Sequence, residues 1–227
     1  SHLLLLALAG ALVPAPAAWA GRAATPGDAT APELPPALRR AYVQARMQEA
    51  GPEYHFAARD GQFLATHPEQ SVRFRAGAAG VQIQPMAGDA AGWSAEVRIR
   101  FLGRDGADGA PAPAALAVRG NRVEYARPGL TEWYLSGPLG LEQGFTLSQR
   151  PAGDGPLVIT VGFGDRLDPR LSPDGGLELR AGGVTRLRYT DLSAKDAAGR
   201  PLPARMEVRA GRAALVIEDA DARYPIE

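Results

Sequence analysis

Val97-Arg98-Ile99-Arg100-Phe101 reads apolar, charged, apolar, charged, apolar. Residues two apart project to the same face of an extended strand, so this run places one face on a core and the other in water. The alternation recurs. Val72 and Phe74 alternate with Arg73 and Arg75, Leu177 and Leu179 with Glu178 and Arg180, and Met206 and Val208 with Glu207 and Arg209. This is the pattern of half-buried antiparallel strands. Leu157 to Val161 and Ala213 to Ile217 are nearly continuous apolar runs, suited to central strands. Asp60-Gly61, Gly103 to Gly109, Arg119-Gly120-Asn121, Asp154-Gly155-Pro156, Asp174-Gly175-Gly176 and Ala198-Gly199 supply turn signals between the runs. Many short strands between Gly/Asp turns define an all-β chain, with one or more antiparallel β-sandwich-like domains.

Composition agrees and narrows the chemistry. The 227 residues include 27 Gly and 20 Pro, and 45% are hydrophobic, enough for a packed core. Basic and acidic residues number 25 each, so the field of one sign that a nucleic-acid partner requires is missing. Cysteine is absent, which excludes disulfides, thiol catalysis and Cys-based zinc sites.

The N-terminal region reads as a targeting segment, residues 1–20. Leu3 to Val13 is an apolar run of signal-peptide length. Pro14 and Pro16 interrupt it, and Ala18-Trp19-Ala20 offers small residues at the −3 and −1 positions of a cleavage site. Cleavage is expected after Ala20, giving an exported protein that does not span a membrane, since a span takes about 20 apolar residues. Ser1-His2 without Met or a basic n-region implies a start upstream. Residues 21–35, rich in Ala, Pro and Thr, read as a flexible leader. Residues 36–50 read as a short helix opened at Pro36, with Leu38, Tyr42 and Ala45 on one face. A smaller β region is expected at 51–102, a loop or linker at 103–114 and a main β domain at 115–227; whether they form one domain or two stays open.

Candidate chemistry is thin. His55 and His67 have only Glu53, Asp60 and Glu69 as acidic neighbours, which matches no zinc spacing, so both read as exposed or strand-face residues. Asp105 and Asp108 lack the spacing of a calcium loop. No Ser lies in Gly-x-Ser-x-Gly, and Gly162-Phe163-Gly164 has no helix after it to form a phosphate loop. The arginines at 73, 75, 98, 100, 186 and 188 read as solvated strand faces. No metal, cofactor or catalytic residue is expected. Glu132, Tyr134 and Glu142, beside Trp133, form the one candidate ligand surface, with two carboxylates and aromatic rings suited to a glycan. On a strand Trp133 shares a face with Leu135, and Glu132 shares one with Tyr134. Burying Leu135 would put Trp133 in the core and Tyr134 nearer solvent.

The C-terminal half carries a further pattern: Val123-Glu-Tyr-Ala-Arg-Pro-Gly-Leu-Thr-Glu-Trp-Tyr-Leu135, Gly140-Leu-Glu-Gln-Gly-Phe-Thr-Leu147, Leu157 to Val161, Ser172 to Leu179 and Ala220-Asp-Ala-Arg-Tyr-Pro-Ile226. It resembles the N-terminal β domain of secreted bacterial proteins that continue into FG-GAP (integrin-α-like) or related β-propeller repeats. The resemblance covers 115–227 and, more loosely, 36–102. It implies a non-catalytic module of a secreted or cell-surface protein, with the propeller repeats following in the same polypeptide and an extracellular protein or glycan as ligand. It transfers no catalytic residue and no calcium ligand to this chain. The alternative reading is a carbohydrate-binding or glycoside-hydrolase-associated domain using the Glu132, Trp133 and Glu142 region.

Overall fold

The computed structural model describes residues 4–8 (as backbone), 42–43, 45–48, 50–87, 92–104 and 111–227. The cleavage residues Ala18 and Ala20, the leader at 21–35, the helix start and the loop aspartates Asp105 and Asp108 lie outside them. In chain order the strands are β1 (Leu4–Leu8), β2 (Ala57–Arg59), β3 (Gln62–His67), β4 (Val72–Gly77), β5 (Gly80–Pro85), β6 (Ala95–Arg104), β7 (Ala115–Arg119), β8 (Arg122–Arg127) and β9 (Leu130–Gly137). There follow β10 (Gly140–Leu147), β11 (Leu157–Gly162), β12 (Asp168–Leu171), β13 (Leu177–Ala181), β14 (Val184–Thr190), β15 (Ala194–Lys195), β16 (Pro201–Leu202), β17 (Ala204–Arg209) and β18 (Arg212–Ile217).

Two eight-stranded sheets hold most of these strands. The first runs β12-β13-β14-β1-β10-β9-β8-β7, the second β17-β18-β11-β6-β5-β4-β3-β2, and β15-β16 form a separate ribbon. The pairings are antiparallel. Short turns make this local: Asp60 and Gly61 both take positive φ (51° and 74°), as a two-residue hairpin between right-twisted strands requires. The inner faces meet in one apolar cluster, with Val123, Leu141, Leu177 and Leu187 from the first sheet and Phe74, Ile83, Val97, Ile159 and Leu215 from the second. Tyr125 bonds across the gap to the Gly77 carbonyl, and Phe163 meets Tyr189 edge-on at 5.3 Å. The molecule is therefore an antiparallel β-sandwich. The stretches on either side of residues 103–114 share the second sheet through β6, which pairs with both β5 and β11.

The run from Val97 to Phe101 contains a break in phase that its alternation conceals. Along β11, Thr160 stands opposite Phe101 and Val161 opposite Ile99, so Arg100 is an extra residue on β6. Such a bulge flips the faces of everything beyond it. Val97 and Ile99 point inward as expected. Past the bulge Leu102 packs on the core, while Phe101 falls on the other face with its ring against Gly103. Arg104 is thereby turned inward and is fully buried.

The short helix is present at 42–43 and 45–48, with a different face from the one expected. Tyr42 and Ala45 are exposed, and Val43 and Met47, four apart, pack on Leu135 and Leu139. The helix approaches so closely that a Cβ on Gly137 would lie 2.8 Å from Met47 Sδ. Asn121 Nδ2 donates to the Met47 and Ser136 carbonyls, joining the helix end to β9.

Candidate functional site

β8, β9, β10 and β14 bring the candidate residues together, and their pairing decides which face each one takes. Glu132 stands opposite Phe145 and Tyr125, Tyr134 opposite Gln143 and Val123, and Trp133 opposite Gly144 and Glu124. Val123, Tyr125, Tyr134 and Phe145 belong to the core cluster. Glu132, Tyr134 and Gln143 therefore point between the sheets, and Trp133, Leu135 and Glu142 lie on the opposite face.

This reverses the orientation expected from Leu135. Tyr134 is the core residue, with 0% exposure. Trp133 is 4% exposed but sits on the outer face. Leu135 is only half-buried and meets the helix rather than the core. The reason is that the inward side of β9 is polar at two positions and provides partners for both. Tyr134 OH donates to Glu132 Oε1 at 2.7 Å, and Gln143 Nε2 donates to Glu132 Oε1 and Tyr134 OH, both at 2.9 Å. Tyr189 on β14 donates to Gln143 Oε1 at 2.8 Å, and Arg127 Nη1 reaches Glu132 Oε2 at 3.1 Å. Tyr134 OH also lies 3.2 Å from the Val97 carbonyl in the facing sheet. A carboxylate is tolerated in a core only when its lone pairs are satisfied in this way. Burial raises the Glu132 carboxyl above its ordinary range, with the Tyr134 bond and the Arg127 charge pulling the other way. The same burial, with Glu132 beside them, lifts the Tyr134 and Tyr189 hydroxyls well above the ordinary tyrosine value.

On the outer face, the Arg122 guanidinium lies over the Trp133 ring, 4.3 Å from its centroid. The ring in turn covers Gly144, where a Cβ would stand 2.1 Å from Trp133 Cζ2. Glu142 is 1% exposed and its Oε1 has no hydrogen-bond partner. Burial pushes its carboxyl up to about 7, against the opposing charge of Arg122. Glu132 and Tyr134 thus share a face with each other and not with Glu142 or Trp133. The two carboxylates do not face a common ligand, and the Glu132 network is closed to solvent.

The histidines are dispersed. His67 is buried rather than exposed: its Nε2 is 3.2 Å from the Pro138 carbonyl and its ring meets Tyr54 edge-on at 5.4 Å. His55 is exposed. Among the described residues no group of three or more His, Cys, Asp or Glu is placed to hold a metal, and no helix is long and apolar enough to cross a membrane.

Sequence patterning does not single out the partners that complete the interior: Gln143, Tyr189, Arg127, and the pair Arg104–Asp219. Asp219 receives both ends of the Arg104 guanidinium, Nη1 at Oδ1 and Nη2 at Oδ2, the latter at 2.7 Å, and also accepts from Tyr224 OH. Arg104 Nη1 donates further to the Gly155 carbonyl at 2.9 Å. Burial pushes the Asp219 carboxyl up, but the Arg104 and Tyr224 hydrogen bonds and the Arg104 charge outweigh it and hold the carboxyl below the usual carboxylate range.

Fold and interior together define an antiparallel β-sandwich with a closed polar network in its core. No protein-family model, curated protein or solved structure matches the chain.

Proposed function

We propose that the chain is a non-catalytic N-terminal module of an exported bacterial protein, placed ahead of β-propeller repeats and serving extracellular binding or presentation of those repeats. The observation that carries this reading is the seating of the C-terminal residues. Leu147 and Ile226 exchange backbone hydrogen bonds at 2.9 and 3.0 Å, and Lys195 and Glu227 do the same at 2.9 and 3.0 Å. With Asp219 held by Arg104 and Tyr224 held by Asp219, the last residues run along the sandwich as part of it. A rigid exit of this kind suits a module that fixes the orientation of the repeats beyond it. The interior role of Glu132 and Tyr134 fits the same reading, because their polar atoms are occupied by one another. Partners are then the repeats of the same polypeptide and an extracellular protein or glycan.

The test is the reading frame beyond codon 227 together with the start of the exported protein. Repeats with Phe-Gly and Gly-Ala-Pro phrases, and a secreted form beginning at Gly21 after cleavage at Ala18-Trp19-Ala20, are expected. A downstream catalytic domain, or an uncleaved leader in a membrane fraction, would overturn it.

A further inference from the structure

The first sheet has a slot between β10 and β14, filled by β1. Leu4, Leu5 and Leu6 stand opposite Gln143, Glu142 and Leu141 of β10, and Leu5, Leu6 and Leu8 opposite Thr190, Tyr189 and Leu187 of β14. The side chains of the two walls also touch, through the Tyr189–Gln143 hydrogen bond. The same slot is entered from its other end by the C-terminal residues. Ile226 is an antiparallel partner of Leu147 on β10, and Glu227 bonds to Lys195 on β15, which comes after β14 in the chain.

Register makes the two occupants successive claimants to one path. Counted antiparallel from the Ile226–Leu147 pair, the third residue after Glu227 falls opposite Gln143, the fourth opposite Glu142 and the fifth opposite Leu141. These are the positions held by Leu4, Leu5 and Leu6. Beneath that path, between the two sheets, lies an apolar cavity lined by Gln143, Phe145, Ser193 and Glu227 on one side and by Ile159 and Leu215 of the second sheet on the other. Ser193 Oγ is buried there without a hydrogen-bond partner. A strand passing from Glu227 toward Gln143 would cover the cavity, turn its inward apolar side chains into it and bring backbone polar groups toward that hydroxyl.

We propose that this slot accepts a β-strand formed by the polypeptide beyond Glu227, running antiparallel to β10, and that Leu4–Leu8 holds its place. The inference rests on the module reading, which supplies both a chain beyond Glu227 and the removal of residues 1–20. The occupant is apolar at its first, third and fifth residues, which pair with Phe145, Gln143 and Leu141 and so take the core face.

The chain has no cysteine, so an introduced pair reports one disulfide. Opposed residues of antiparallel strands have the Cα spacing a disulfide needs. In the full 227-residue chain, Leu5→Cys with Glu142→Cys should cross-link. An added tail of alternating valine and threonine, with valine first, should lower that cross-link to background. The same tail with cysteine as its fourth residue should instead cross-link to Glu142→Cys within one molecule, and cysteine as the fifth should react far less. An extended chain that keeps the Leu5 cross-link, or whose tail links only between molecules, overturns the proposal. Docking of the tail while the gene encodes no repeats would leave the slot standing and the module reading fallen. Repeats in the gene with an undocked tail would do the reverse.

Discussion

Tyr134 donates its hydroxyl to Glu132, two residues earlier on the same strand, at 2.7 Å inside the sandwich core. The bond joins neighbours on one face of β9, and through Gln143 it reaches β10 and then Tyr189 on β14. The polar atoms of three strands are thereby satisfied by one another, so removing one member leaves others buried and unpaired.

Tyr134→Phe keeps the ring and removes only that donor. The expected cost is about 1–3 kcal/mol, the loss of a buried hydrogen bond to a carboxyl group whose Oε1 keeps its Gln143 donor. Tyr134→Ala also opens a cavity and should cost about 3–5 kcal/mol. Urea midpoints at unchanged slope check both. A Tyr134→Phe protein as stable as the parent would show that the hydroxyl carries nothing.

Trp133 and Gly144 form a second pair, on the outer face, where the ring occupies the space a Cβ would need. Gly144→Ala should displace the indole and cost about 1–3 kcal/mol. Trp133→Ala should cost about 3–5 kcal/mol. Because the three atoms nearest an alanine methyl there all belong to the ring, the double variant should be less destabilised than the two single effects added together. Strict additivity in this cycle would mean the ring does not lie over Gly144.

Arg104 and Asp219 test the bulge at Arg100. Arg104→Met strips a buried carboxylate of its bidentate partner and should cost about 3–5 kcal/mol. Adding Asp219→Asn to Arg104→Met removes the stranded charge and should restore part of that loss. Denaturant unfolding of the three variants measures it. Equal stability of Arg104→Met and the parent would place Arg104 outside the interior.

How much of this was legible beforehand depends on the reach of sequence periodicity. The alternation at 72–75, 97–101 and 177–180 was enough for the all-β antiparallel sandwich, because one buried face per strand is a local property. It could not reveal the bulge. Arg100 looks like one more exposed residue of an unbroken pattern, and only its position opposite β11 makes it the extra one. The same limit reversed Trp133 and Tyr134. Hydrophobicity ranks tryptophan and leucine as the inward pair, but the inward side of β9 was decided by partners on strands remote in sequence: Gln143 on β10 and Tyr189 on β14. The helix face moved for a related reason, since Val43 and Met47 are selected by Leu135 and Leu139 and not by their own period.

Glu142 sets the pH dependence that is easiest to isolate. Burial raises its carboxyl from an ordinary 4.5 to about 7 in the folded protein. Between those values the folded state holds a proton that the unfolded state has released, so stability falls as pH rises through the window and levels off above it. The loss is no more than about 3.5 kcal/mol, because each pH unit of that window contributes about 1.4 kcal/mol at most. Glu142→Gln cannot titrate, and Oε1 has no hydrogen-bond partner to lose. Parent and variant should therefore be close in stability near pH 4, with the variant gaining steadily and ahead at pH 8. Glu132 acts in the same direction as Glu142, but it is present in both proteins and cancels in the difference. Asp219, held below its ordinary range, instead contributes stability that is lost as pH falls through its folded value, a lower window that also cancels. Urea midpoints at intervals from pH 4 to pH 8 give the two curves. If they run parallel across that range, Glu142 is charged and solvated in the folded protein, and its placement on the covered outer face of β10 is wrong.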